Sequence, residues 1–196
     1  MKIDERMRKE TENLWKILTE EEKIVLTKYT QTYSYLNERL RGIGYYGDRP
    51  IEEFEKDLPI LTNALNKFKA TKNMVVRRGT KNFFIPELNK DLNMVNVGEE
   101  FVDKGFLSTA VHRTKGFNEY MEMIIVVPND ARGVFAEPFT RYNDSGKYDF
   151  EKNIWNGTSK ETLGSEFEWI GQRGSKFKVL NVSGRTIYLQ LIGQLK

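Results

Sequence analysis

With 196 residues, 39% hydrophobic and 30% charged, the chain has the composition of a globular protein and is neither collagen-like nor disordered. The 31 Lys and Arg barely exceed the 28 Asp and Glu, and residues 1–70 carry 13 of each sign, so no basic stripe speaks for nucleic acid or a membrane surface as a partner. Zero cysteines exclude disulfides, thiolate metal sites and a cysteine nucleophile, and the one histidine, His112, excludes multi-histidine metal centres and argues against a Ser-His-Asp triad.

The opening Met1-Lys2-Ile3-Asp4-Glu5-Arg6 has no apolar run of the signal-peptide kind, and no stretch approaches the roughly 18 apolar residues of a membrane span. Thr19 with Glu22 is a capping-box signature, and Leu26, Tyr29, Tyr33, Leu36 and Leu40 recur at gaps of 3, 4, 3 and 4. This predicts a helix with one buried stripe, stopped by Gly42. Asp48-Arg49-Pro50 predicts a turn into a short helix near Ile51–Lys56; Leu58, Leu61, Leu65 and Phe68 give a second stripe, with Pro59 in its first turn. Both stripes are read as core.

After Thr71 the pattern becomes that of strands. Met74–Arg78, Met121–Val127, and Lys176–Val182 with Thr186–Ile192 are β-rich, the last pair joined as a hairpin across Ser183-Gly184-Arg185. Phe177 and Val179, like Ile187, Leu189 and Leu191, alternate with polar neighbours, as half-buried strands do. Helices followed by strands in segregated runs predict an α+β fold. Glu137–Gly164 is polar, with turn signals at Asn143-Asp144-Ser145-Gly146 and Asn156-Gly157, and is read as a long loop.

Three clusters can carry chemistry. In Val75-Val76-Arg77-Arg78-Gly79-Thr80 an arginine ends an apolar strand, either as a solvated strand end or as a fork for phosphate or carboxylate, with Gly79 allowing close backbone approach. Gly105-Phe106-Leu107-Ser108-Thr109-Ala110 sets two hydroxyls after an apolar pair, suited to turns and caps or to orienting a carboxylate or sugar hydroxyl. In Glu166-Phe167-Glu168-Trp169-Ile170, an extended chain places Glu166 and Glu168 on one face and Phe167 and Trp169 on the other. Two like charges so placed repel unless a cation or ligand uses them.

In this order and spacing the clusters resemble the Arg / Ser-Thr-Ser / Glu-x-Glu pattern of arginine-specific mono-ADP-ribosyltransferases of the bacterial binary-toxin type. The likeness extends to Tyr29-Thr30, Leu40-Arg41-Gly42 and Gly174-Ser175-Lys176-Phe177-Lys178-Val179. It implies an α+β fold of two packed antiparallel sheets around an NAD cleft, with residues 1–70 as a helical N-terminal part and 71–196 as a β-rich catalytic core. It also implies NAD as substrate, no metal, and a target protein bearing an acceptor arginine. Arg78 would hold the NAD phosphates, with Arg77 at a less restricted position. Ser108 would brace the catalytic glutamate and the nicotinamide ribose, with Thr109 beside it among the NAD-binding positions. Glu168 would bind the ribose 2′-hydroxyl and stabilise the oxocarbenium-like state, and Glu166 would orient and activate the incoming guanidinium.

The sequence departs from the pattern at Ala110, where a third hydroxyl is absent, and at Leu163, where related toxins often carry an aromatic. Phe135, Phe139 and Tyr142 are candidates for stacking on nicotinamide or on the target, and His112 is read as a surface or loop residue. Rival readings are an NAD glycohydrolase with water as acceptor, a non-catalytic protein-binding module on the same fold, and a glycosidase built on the paired glutamates. The last is disfavoured because such pairs normally come from separate elements. Action in the cytosol of a host or target cell is expected, with export by a non-classical or partner-dependent route.

Overall fold

The structure is a computed structural model and describes residues 3–43, 50–111, 120–140, 147–149, 154–156 and 167–195. The helices come first: α1 (Ile3–Trp15), α2 (Glu20–Thr32), α3 (Ser34–Arg41) and α4 (Ile51–Asn66). Thr19 caps α2 as expected, its hydroxyl accepting from the Glu22 amide at 3.2 Å while the Glu22 carboxylate accepts from the Thr19 amide at 2.8 Å. Gly42 stops α3 at φ 69, in the left-handed region.

The stripe predicted as one helix is two. Thr27, Thr30 and Thr32 return their hydroxyls to the carbonyls of Lys23, Thr27 and Lys28, a pattern that bends helices, and the ladder breaks at Tyr33. The break keeps Leu26, Tyr29 and Leu36 buried but turns Tyr33 out to 52% exposure. A second correction concerns Pro59, which lies inside one continuous α4 rather than in the first turn of a new helix. Proline there removes a backbone bond at a cost of about 3 kcal/mol. Burial of Leu61, Ala64 and Leu65 offsets it, and so does Asp57, which accepts from Lys28 and from the Tyr35 hydroxyl at 2.8 Å.

The strands are β1 (Met74–Thr80), β2 (Phe84–Ile85), β3 (Lys90–Asp91), β4 (Glu100–Asp103), β5 (Leu107–Ala110), β6 (Met121–Val127), β7 (Gly133–Phe135), β8 (Lys147–Asp149), β9 (Ile154–Asn156), β10 (Glu168–Gly171), β11 (Ser175–Ser183) and β12 (Thr186–Gly193). Eight of them form one ladder in the order β4-β11-β12-β6-β1-β5-β10-β7. The β11–β12 hairpin closes as expected, with Ser183 opposite Thr186 and Gly184 at φ 59. The pairing of β12 with β6 is parallel, where antiparallel neighbours were expected. The hairpin has already set the direction of β12 when it meets the β6 edge. A further departure is the β8–β9 hairpin, which lies inside the segment read as loop.

The ladder has two arms. Strands β5, β10 and β7 join the other five through a single registered pair, Arg77 with Ala110. Leu107, Phe135 and Trp169 of the short arm pack with Val76, Met123, Ile125, Phe177 and Leu189 of the long one, so the arms face each other as two sheets would. The other side of the short arm, through Val134 and Ile170, packs on Leu26, Tyr29, Leu36, Leu61 and Leu65 of the helices. Strand β10 is therefore buried on both faces, and fully buried Gln172 beyond it donates to the Thr62 carbonyl at 2.8 Å and to Asn66 at 2.9 Å, tying it to α4.

Close packing around Trp169 yields a test. A Cβ on Gly133 would sit 2.4 Å from the Trp169 ring and 2.6 Å from the Ile170 carbonyl oxygen, whereas one on Gly193 would meet its nearest neighbour at 3.6 Å. Gly133→Ala is expected to cost about 2–3 kcal/mol in urea unfolding and Gly193→Ala less than about 1 kcal/mol. Equal losses would show that the indole does not fill the space above Gly133.

Candidate active site

Strand β4 ends at Asp103, and the Asp103 carboxylate, with 7% of its side chain exposed, turns back on its own loop and out to two other elements. One oxygen accepts from the Gly105 amide at 2.9 Å and from Nε of Arg41 at 2.8 Å. The other accepts from Nη2 of Arg41 at 2.9 Å and from Nη1 of Arg78, more loosely, at 3.4 Å. Arg41 caps this arrangement by donating to the Phe106 carbonyl at 3.2 Å. Gly105 leaves room for it, since a Cβ there would lie 2.8 Å from the Arg41 guanidinium.

The charges respond to this crowding. Burial pushes Asp103 upward, but Arg41, Arg78 and the hydrogen bonds outweigh it and hold the carboxyl below its usual range. Arg78 is shifted down, first by burial and then by the neighbouring Arg41 charge. Arg41 and Arg78 line a cavity of about 570 Å³, walled further by Phe83 and Phe84. Two cations against one carboxylate leave this end of the cleft positive and suited to a dianion.

Tyr29, fully buried on α2, bridges from this end toward the second. Its hydroxyl shares a 3.1 Å hydrogen bond with Ser108 and accepts from the Asn37 amide at 2.8 Å, while Asn37 accepts from the Phe106 amide at 2.8 Å. Burial, and then the charge of Glu168, push the phenol up to about 12. Glu168, 8% exposed, opens β10 directly across from Ala110. The position that lacks the third hydroxyl is thus the ladder neighbour of the candidate catalytic carboxylate.

Of the expected site residues, the structure places Arg78 in the cavity wall and Arg77 on the outer surface, paired with Glu122 at 2.7 Å. Ser108 and Glu168 lie around Tyr29. Thr109 faces the interior, its hydroxyl donating to the Trp169 carbonyl at 2.9 Å. Glu166, Leu163, Tyr142 and His112 lie outside the described residues. Phe167 is described at φ 48, so the chain leaves the extended form just before β10, and alternation along one strand no longer puts Glu166 and Glu168 on one face. Phe135 and Phe139 are corrected from ligand candidates to core, at 2% and 0% exposure, with Phe139 stacked on Trp15 at 4.8 Å. Among the described residues no three acidic or histidine side chains gather as metal ligands. Asn37 and Asp103 went unread in the sequence; the spacing Asp103-Lys104-Gly105 marks a turn but names no partner.

A model of the ADP-ribosyltransferase exoenzyme family matches residues 4–190. No curated protein matches the sequence. Among solved structures the chain is similar to Plx2a, an ADP-ribosyltransferase toxin from Paenibacillus larvae, at 18% identity and a TM-score of 0.66 over 96% of this chain and 94% of that one. It is similar to C3larvin toxin, an ADP-ribosyltransferase from the same organism, at 21% identity and a TM-score of 0.62 over 94% of each. A third is BECa, an ADP-ribosylating toxin of a binary enterotoxin of C. perfringens, solved with NADH, at 17% identity and a TM-score of 0.68 over 96% of this chain and 47% of that one. The shared fold is the α+β architecture described above.

The Tyr29 environment gives a pH test. Its folded value lies above the ordinary 10, so the neutral phenol contributes stability that is complete below about pH 10 and lost as pH rises toward 12. Tyr29→Phe is expected to lose about 1–2 kcal/mol at neutral pH, leaving Asn37 and Ser108 short of a partner, and to show a shallower alkaline decline. Phenolate absorbance titration with urea unfolding at about pH 8 and about pH 11 measures both. Identical alkaline slopes for the two proteins would show that the hydroxyl is not held.

Proposed function

The chain belongs to the ADP-ribosyltransferase exoenzyme family, and we propose that it moves ADP-ribose from NAD to an arginine side chain of a target protein, releasing nicotinamide. The observation that carries this reading is the arrangement around Tyr29. Its hydroxyl is bonded to Ser108, and the charges of both Glu168 and Arg41 act on it. NAD, the substrate of this family's enzymes, supplies the ribosyl bond that breaks and a diphosphate with two negative charges.

Arg78 and Arg41 bind that diphosphate with their forks. Glu168 stands where positive charge develops on the ribose as nicotinamide leaves, and stabilises it electrostatically. Ser108, held by Tyr29, orients that carboxylate. Arginine as acceptor is supported by Glu166, two residues ahead of Glu168, since a carboxylate accepts hydrogen bonds from a guanidinium better than a neutral group does. The site of action is proposed to be the cytosol of a target cell.

Two sets of variants test the assignment. Arg78→Ala should weaken NAD binding strongly, Arg78→Lys should recover part of it because a point charge cannot reproduce the fork, and Arg77→Ala should do much less. Equal losses at both positions would put the register wrong.

Glu168→Gln should remove nicotinamide release and transfer together, by about 10²–10³ in rate. Glu166→Gln should abolish labelling of arginine yet leave much of the slower transfer to water. Nicotinamide release measured beside label on protein, with mass spectrometry of the modified sites, reads both. If Glu166→Gln loses hydrolysis as fully as Glu168→Gln, or keeps full transfer, the acceptor role must be abandoned. Label on residues other than arginine would sink the specificity.

A further inference from the structure

We propose that Asp103 is a positioning residue for NAD, bracing Arg41 and Arg78 side by side so that both guanidiniums meet the diphosphate together. The proposal rests on the reading of Arg78 as a phosphate ligand.

Two guanidiniums brought together from α3 and β1 repel, and an anion between them is what holds them in place. Asp103 supplies it with both oxygens in use. It takes Arg41 by two parallel bonds at 2.8 and 2.9 Å, which fixes the plane of that guanidinium. It reaches Arg78 at only 3.4 Å, and this is the sole hydrogen bond of the Arg78 side chain among the described residues. Arg78 is 16% exposed and lines the cavity, so its remaining donors are unspent at the wall where a ligand would lie.

The carboxylate is itself tied to its own loop. The Gly105 amide holds it at 2.9 Å, and the absence of a side chain on Gly105 makes room for Arg41 against it. The set keeps a net positive charge and two planar forks in fixed relation, which is preorganisation for a dianion rather than neutralisation of one.

Bracing and simple charge counting predict opposite signs. Removing a negative charge beside an anion site should tighten anion binding if charge alone governs. If Asp103 braces the pair, removing it should weaken binding, because the arginines splay and the amide of an asparagine offers Arg78 a donor where it needs an acceptor.

The experiment is Asp103→Asn in the full chain, with NAD titrated calorimetrically and nicotinamide release followed at steady state. NAD affinity is expected to fall about ten- to a hundredfold and KM to rise in step, with kcat within about threefold of the parent. Unchanged or tighter NAD binding overturns the proposal, as does a fall in kcat at constant KM. Arg78→Ala is measured in parallel. If it leaves NAD affinity intact, the phosphate reading itself fails; if it weakens NAD while Asp103→Asn does not, only the brace fails. Should Asp103→Asn not fold, Asp103→Glu keeps the charge and both arginines but displaces the two-point hold on Arg41. The same rise in KM supports the brace, and unchanged affinity overturns it.

Discussion

A buried carboxylate shared by two guanidiniums is the interaction on which the cleft depends. Asp103, Arg41 and Arg78 come from β4, α3 and β1, so this one cluster fastens the helical part to the long arm of the sheet. Burying three charges is expensive unless each is paired and hydrogen-bonded. Here the carboxylate is saturated and Arg41 is well satisfied, while Arg78 is left short. The desolvation shortfall thus falls on the one group of the three with most to gain from an incoming anion.

The second dependence runs through Tyr29. A fully buried phenol is tolerated because its hydroxyl has both Asn37 and Ser108, and Asn37 in turn takes the amide of Phe106 at the entrance to β5. Helix α2 thereby sets the position of the strand that carries Ser108. It acts on β10 as well, because Ser108 and Ala110 face Ile170 and Glu168 across the ladder.

How much of this was legible in the sequence follows from how far apart cause and effect lie. The Thr19–Glu22 box, the stop at Gly42 and the turn at Gly184 are local, with signal and consequence a few residues apart. Alternation marked β11 and β12 for the same reason. Asp103 meets Arg41 across 62 positions and Arg78 across 25, and nothing in Asp103-Lys104-Gly105 names either partner. Pro59 misled because propensity is local and the packing of Leu61 and Leu65 is not. The Glu166–Glu168 face argument presumed an unbroken strand, and the left-handed backbone at Phe167 breaks it. Phe135 and Phe139 could be read only as aromatic; which face they present is decided by α1, through Thr11 on the Phe135 carbonyl and Trp15 on the Phe139 ring.

The two arms of the sheet meet through one registered pair, Arg77 with Ala110. That seam and a second tie, where the backbone of Arg132 before β7 exchanges hydrogen bonds with the Gln194 side chain after β12 at 2.7 and 2.9 Å, pin the arms at two places, and the side chains wedged between them hold the arms apart. Arg78 rides on one arm and Glu168 on the other. The span between Arg78 and Glu168 is therefore gauged by the volumes of Leu107, Phe135 and Trp169 against Val76 and Met123. A methylene gained or lost in that wedge is a change of calibre in the cleft, made without touching a polar atom.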